Sequence, residues 1–221
     1  MARVEFQNSL HSLEAAFQEQ GEIVLRAVRG AVHALETQDV ELCDEVVAFD
    51  DEIDRRYHAI EKMIEGLLAQ QAPVAGDLRL ILAVLHGSIH LERMGDQSVT
   101  IAKLTKVAAG LETDHGLVDG LRDMGARAEE MVRVALDAFS ARDGERARSL
   151  VDLDELIDRT NRRVIDEVLA LSTAGGQQEW GMRMIVVARC IERIGDNAVD
   201  IGEQTVFLAT GDFGEFVDAS H

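Results

Sequence analysis

The feature that most constrains the fold is a repeat of the chain on itself. "LERMGDQSV" begins at Leu91, and "IERIGDNAV" begins at Ile191. A second match aligns residues 31–55 with residues 135–159 without a gap, and nine of the 25 positions are identical. The copies are 104 residues apart in this second match and 100 apart in the first, so the second copy has a shorter loop between the two segments. Such self-similarity indicates two copies of one folding unit.

The periodicity of apolar residues predicts that both units are helical. Apolar residues recur every three to four positions in six segments, which is the spacing of one face of an α-helix. One proline and only 4% aromatic residues disfavour a β-protein. Asp39 and Asp143 are predicted N-caps, each with a glutamate two residues on. The predicted helices cover roughly residues 4–36, 39–69, 76–109, 116–141, 144–172 and 177–210.

These segments predict an all-α fold, a tandem repeat of two antiparallel three-helix bundles with six helices in total. The first repeat is expected to occupy residues 1–110 and the second residues 111–221. No apolar run approaches the ~20 residues that a membrane-spanning helix needs, and no apolar signal segment follows Met1. We therefore expect a cytoplasmic protein that does not insert into a membrane.

Charge and cysteine usage narrow the classes of partner. The formal net charge is −19, from 41 acidic and 22 basic residues, and a field of that sign repels nucleic acid. It suits a basic protein surface, metal cations or simply solubility. Cys43 and Cys190 lack partners at CxxC spacing, which predicts core thiols. His86 and His90 lie on a face turned away from Glu92 and are expected to pack or lie at the surface rather than bind zinc.

Each repeat carries two acidic pairs in which the two carboxylates are four residues apart. Residues at this spacing share one face of a helix. The same faces also carry apolar residues, which is typical of a face that packs against a neighbouring helix. The pairs are Asp50/Asp54 and Glu92/Asp96 in the first repeat, and Asp154/Asp158 and Glu192/Asp196 in the second.

The loops predict that the pairs face each other. In the first repeat the midpoint between Asp54 and Glu92 is Pro73, the only proline. In the second repeat the corresponding pairs are centred on Gly175. Two antiparallel helices joined by a short loop place residues equidistant from its centre at the same height. We therefore expect two facing acidic pairs in each repeat, about 25–30 Å from the turn.

Four carboxylates near an apolar interface must become protonated, pair with arginine or bind cations. Arg93 and Arg193 adjoin the glutamates in sequence but are rotated by about 100° on the helix. All-oxygen ligation suits Mg²⁺, Mn²⁺, Ca²⁺ or iron. The residues alone favour cation binding and leave open partly hydrated structural faces or arginine-paired networks.

The repeated "DxxIDR" and "ER(M/I)GD" segments, with "APVAGDLRLILAVL" and "IGDNAVDIGEQTVFLATG", resemble the PhoU family of phosphate-signalling regulators. The resemblance covers nearly the whole chain. It implies a cytoplasmic, usually dimeric helical protein that is not an enzyme and that represses phosphate uptake and the phosphate-starvation response. The implied partners are the ATPase subunit of the phosphate ABC transporter and a membrane sensor histidine kinase.

The resemblance also implies multinuclear metal clusters bound through E(D)xxxD motifs. The expected ions are divalent or ferric, with Fe, Mn, Mg and Zn as candidates. Glu203, two turns beyond Asp196, is a candidate further ligand, whereas the first repeat has Lys103 at that place, so the two sites are expected to differ. The other implied ligands are Asp50, Asp54, Glu92, Asp96, Asp154, Asp158, Glu192 and Asp196.

Two other functions stay open on the residues alone. In the first, the protein is a helical interaction protein whose acidic motifs contact basic partners without metal. In the second, bridged carboxylates form a metallohydrolase. The sequence offers no acid–base or substrate-anchoring group for such a hydrolase. A di-iron oxidase of the ferritin type is disfavoured as well, because the one Glu-x-x-His match, Glu112 to His115, lies between the repeats.

Overall fold

The structure, a computed structural model, describes residues 2–70, 72–171, 176–212, 214 and 216. Within these residues the chain is helical and contains no strand, which confirms the all-α prediction. Among them, no helix has the length and apolarity needed to cross a membrane. The helices are α1 (Ala2–Thr37), α2 (Val40–Ala48), α3 (Asp50–Gln70), α4 (Gly76–Ala108), α5 (His115–Ala141), α6 (Gly144–Arg148), α7 (Leu150–Leu169) and α8 (Gln177–Thr210).

The second predicted helix of each repeat is divided in two, at Phe49 and at Ser149. Both residues keep right-handed helical angles, with φ of −66°. The backbone N–H of Phe49 donates to the carbonyl of Val46, three residues back, at 3.1 Å. The N–H of Ser149 is shared between the carbonyls of Arg146 and Glu145, three and four residues back, at 3.3 Å each. Both divisions are therefore local changes in hydrogen bonding, and the six predicted helices are confirmed as six helical rods.

The two predicted N-caps hold their helices as expected. The carboxylate of Asp39 accepts from two backbone N–H groups at the start of α2, at 2.9 and 3.0 Å. The carboxylate of Asp143 does the same for α6, at 3.1 and 3.0 Å. These bonds satisfy donors that a helix start otherwise leaves unpaired.

The rods assemble into two three-helix bundles, as predicted. Helices α1, α2–α3 and α4 contact one another, and so do α5, α6–α7 and α8. The bundles meet through α4 against α8 and through α1 against α5. These four helices form the centre of the molecule, and α3 and α7 flank it. The division between residues 110 and 111 stays a prediction, and Gly175, the predicted centre of the second hairpin, lies outside the described residues.

Histidine and cysteine side chains take the structural positions predicted for them. His90 on α4 links the two bundles. Its Nδ1 lies 2.9 Å from Asn197 Oδ1 and 3.1 Å from Asp200 Oδ2, both on α8. His86 is exposed. The thiols of Cys43 and Cys190 are buried and unbonded, and burial raises the pKa of Cys190 to about 11.

Candidate metal centres

A glycine in each Glu-Arg-x-Gly-Asp motif allows two helices to approach closely. A Cβ added to Gly95 would lie 2.7 Å from Ile53 Cδ1, closer than carbon atoms in contact can lie. A Cβ on Gly195 would lie 2.9 Å from Asp154 Oδ1 and 3.3 Å from Ile157 Cδ1. Ile53 and Ile157 occupy equivalent places in the two repeats. The same glycine–isoleucine contact therefore joins the two acidic motifs in both bundles.

In the first repeat, the structure brings the predicted carboxylates of α3 and α4 together. The pKa of Asp50 is raised by burial and then by the charges of Asp54 and Asp96, while the Lys103 ammonium lowers it. The pKa of Glu92 is raised by burial and then by Asp96 and Asp54. Charges influence one another in this way only at short range. Together with the contact between Gly95 and Ile53, which adjoin Asp96 and Asp54 in sequence, these influences agree with the predicted facing of the two acidic pairs.

The second repeat has the same arrangement around a more deeply buried glutamate. As a whole residue, Glu192 is only 6% exposed. Burial and then the charge of Asp196 raise the pKa of its carboxyl to about 7. Burial also raises the pKa of Asp196, and Asp158 on α7 contributes to both shifts. Asp154 completes the group through its position beside Gly195. Both hairpins therefore hold repelling carboxylates at a helix–helix contact.

The four carboxylates of each repeat are called the first and the second group below. The sequence reasoning missed two arginines beside the second group. Arg189 forms an ion pair with Glu192 Oε1, three residues further along α8. Arg162 lies 3.6 Å from a carboxylate oxygen of Asp158, four residues earlier on α7. Spacings of three and four residues place side chains on one helix face. That spacing is the signal by which the sequence indicates these pairs.

Glu203, the ninth predicted ligand, contacts the C-terminal segment. Its Oε1 accepts a hydrogen bond from the backbone N–H of Phe216 at 2.6 Å. The Phe216 ring lies beside Gly202, where an added Cβ would be 3.2 Å from Cε2. The contact of Phe216 with α8 depends on tertiary packing, which no local pattern in the sequence indicates. The role of Glu203 as a metal ligand stays a prediction.

The donor chemistry of both groups fits a hard cation. Carboxylate oxygens are the ligands that Mg²⁺, Ca²⁺ and Mn²⁺ prefer. Glu192 Oε2 is buried and has no hydrogen-bond partner among the described residues, so one oxygen lies where a cation would stabilise it. In the same part of the chain, however, no three His, Cys, Asp or Glu side chains converge closely enough to hold an ion. Binding would require the carboxylates to rotate toward each other, and metal ligation stays a prediction.

Comparison with known proteins supports the two-repeat architecture. The model of the PhoU family, described as the PhoU domain, matches the chain twice, over residues 17–105 and 121–205. The chain is 31% identical to the phosphate-specific transport system accessory protein PhoU homolog of Clostridium acetobutylicum, over 96% of this chain and 97% of that protein. It is also 31% identical to the Pseudomonas aeruginosa homolog, over 94% of this chain and 86% of that protein.

Two crystal structures share the fold. PhoU from Pseudomonas aeruginosa superposes with a TM-score of 0.89 at 29% identity, covering 94% of this chain and 100% of that one. The phosphate transport system regulatory protein PhoU from Streptococcus pneumoniae superposes with a TM-score of 0.87 at 29% identity, covering 95% and 99%.

Proposed function

The chain belongs to the PhoU family, and we propose on this basis that it is an accessory and regulatory protein of a phosphate-specific transport system. The observation that carries the proposal is the double match to the PhoU domain, together with relatives that align over nearly their whole length. Proteins of this family are accessory and regulatory proteins and not enzymes. The metallohydrolase alternative is therefore set aside.

The proposed action is negative regulation of phosphate uptake and of the phosphate-starvation response. The protein would act in the cytoplasm, as a homodimer, between the ATPase subunit of a phosphate ABC transporter and a membrane sensor histidine kinase. The net charge of −19 supports docking on basic partner surfaces. Long rods that expose one side along their length offer extended surfaces for such contacts.

Metal binding is the second part of the proposal. Each group of carboxylates would hold Fe, Mn, Mg or Zn ions, which would neutralise the repulsion between the two acidic pairs. The contribution of the chain is to present facing oxygen donors on two helices held together by the glycine–isoleucine contact. Bound ions would then fasten α3 to α4 and α7 to α8, and so stiffen the helical surfaces that meet partners.

A second candidate keeps the regulatory role but makes the acidic motifs direct contacts for basic partners. It is favoured by the ion pairs of Arg189 with Glu192 and of Arg162 with Asp158, which show that these carboxylates accept guanidinium groups. A partner arginine would take the same place. The two candidates differ in whether purified protein carries metal and whether chelation weakens partner binding.

The regulatory proposal is tested in cells that lack the chain and carry a reporter of the phosphate-starvation response. In high phosphate we expect the reporter and phosphate uptake to rise in these cells and to return to low values when the wild-type chain is restored. A reporter and an uptake rate unchanged by the deletion would overturn the proposal. Co-purification of the transporter ATPase with the tagged full-length chain tests the partner directly. An unrelated acidic helical protein with the same tag is the control and should not retain the ATPase.

A further inference from the structure

An exposed arginine forms an ion pair with the buried glutamate of the second group. The guanidinium of Arg189 donates to Glu192 Oε1. The Arg189 side chain is 59% exposed, whereas that of Glu192 is 8% exposed. The cation thus approaches from solvent and the anion from the protein interior. An exposed side chain of this kind can leave the pair without breaking core packing.

The ion pair with Arg189 provides a hydrogen bond to only one of the two carboxylate oxygens of Glu192. Oε1 is bound to Arg189, and Oε2 is buried without a hydrogen-bond partner among the described residues. A buried carboxylate with one unsatisfied oxygen is unfavourable. The negative charges of Asp158 and Asp196 lie close enough to destabilise the ionised form of Glu192 further. Additional positive charge at this point would therefore be stabilised by three carboxylates at once.

The first repeat supplies a natural comparison, because it has the same glutamate without the arginine. The residue equivalent to Arg189 is Ile89, three positions before Glu92. The residue equivalent to Arg162 is His58, which pairs with Glu61 instead, at 3.0 Å. The first group has a different cation, Lys103, whose charge acts on Asp50. The arginine that follows each glutamate, Arg93 or Arg193, acts on it in both groups, but among the described residues only the second glutamate has an ion-paired arginine.

We propose that Arg189 is a displaceable counter-ion that competes with metal for Glu192 and lowers the affinity of the second site for cations. The inference rests on the proposed metal-binding function. A divalent ion on Oε2 would be repelled at short range by the guanidinium on Oε1, and ligation through both oxygens would require the arginine to swing into solvent. Half-occupancy of this site then requires a higher free metal concentration than it would with isoleucine in place of Arg189.

The experiment isolates the second site by blocking the first with E92Q/D96N. Mn²⁺ binding to the chelator-treated full-length protein is measured by isothermal titration calorimetry. In this background, R189I, which introduces the residue of the first repeat, should tighten Mn²⁺ binding about threefold to tenfold. R189Q removes the charge but keeps a polar side chain, and should act in the same direction if R189I disturbs folding.

The matched control is R183I. Arg183 lies on the same helix and pairs with Glu179 at 2.8 Å, away from the carboxylates. We expect R183I to leave Mn²⁺ affinity unchanged. An equal gain from R183I and R189I would indicate a general effect of lost positive charge and would overturn the inference.

A reciprocal graft tests the same idea in the first site. In a background with the second site blocked by E192Q/D196N, I89R should weaken Mn²⁺ binding by a similar factor. Equal affinity of R189I and its parent overturns the role of Arg189 while the metal-binding proposal stands. If neither single-site background binds Mn²⁺, the metal-binding proposal fails, and the inference fails with it.

Discussion

Gly125 of α5 lies directly against Val32 of α1, so that a methyl group at position 125 would overlap the valine side chain. The same contact occurs with the repeats exchanged, because a Cβ on Gly21 would lie 2.5 Å from Leu136 Cδ2. Gly21 and Gly125 are equivalent in the repeat, as are Val32 and Leu136. The bundles therefore dock through two copies of one glycine–aliphatic contact, which gives the interface an approximate two-fold symmetry.

Filling this contact should destabilise the protein. G125A is expected to cost roughly 1–3 kcal/mol from overpacking, offset by about 1 kcal/mol of improved helix propensity. Chemical denaturation measures the change. G66A is the matched control, because Gly66 lies within α3 with nothing within 4 Å of an added Cβ. It should gain up to about 1 kcal/mol, and a G125A protein as stable as G66A would contradict the close approach.

A buried hydrogen-bonded pair joins α1 to α4 in the first repeat. Ser88 Oγ donates to Gln20 Oε1 at 2.7 Å, and Gln20 Nε2 donates to the Ser88 carbonyl at 3.1 Å. S88A leaves a buried amide oxygen unpaired and should lower the free energy of unfolding by about 1–3 kcal/mol. The second repeat has Met124 and Ala188 at these places.

The second repeat thus suggests the rescue for S88A. The double variant Q20M/S88A removes both polar groups, and we expect it to recover part of the stability that S88A alone loses. Urea denaturation of the two variants gives the comparison. Additive losses in the double variant would show that the polar pair is not the source of the effect.

The pKa of Glu192 predicts how stability changes with pH when metal is removed by a chelator. The folded-state pKa is raised from 4.5 to about 7, so the folded protein binds the proton more tightly than the unfolded chain. The free energy of unfolding should therefore fall as pH rises from about 4.5 to about 7. E192Q should reduce this slope and leave the part contributed by Asp50, Glu92 and Asp196, whose pKa values are also raised. E65Q, at an exposed position of α3, should leave the slope unchanged. An equally steep slope in E192Q and the wild type would contradict the burial assigned to the Glu192 carboxyl.

Metal binding predicts stabilisation by Mn²⁺. At a free concentration one hundred times the Kd, a single site adds about 2.7 kcal/mol to the free energy of unfolding. Thermal melts of chelator-treated protein should shift upward with Mn²⁺, less in E92Q/D96N or E192Q/D196N, and not at all when both sets are combined. D51N, at an exposed neighbouring carboxylate, is the control and should melt like the wild type. An undiminished shift in the combined variant would place the ions elsewhere.

The periodic pattern and the internal repeat were sufficient to predict the helices and the two bundles. Both are local or chain-wide regularities: an apolar stripe every three to four residues can be buried only by neighbouring helices, and two similar segments fold alike. The caps at Asp39 and Asp143 were predictable for the same reason, since a cap is decided within one turn. The divisions at Phe49 and Ser149 were not predicted, because both residues keep helical backbone angles.

The sequence by itself determined that two acidic pairs face each other in each hairpin, because helix period and loop position fix the height and face of every residue. Only the tertiary structure decided how buried each carboxylate is and which groups distant in sequence lie beside it. Lys103 near Asp50 and the Phe216 backbone at Glu203 distinguish two groups with nearly the same motif. Burial and charge pairing depend on neighbours brought together by packing, and those neighbours differ between the repeats where the motifs do not.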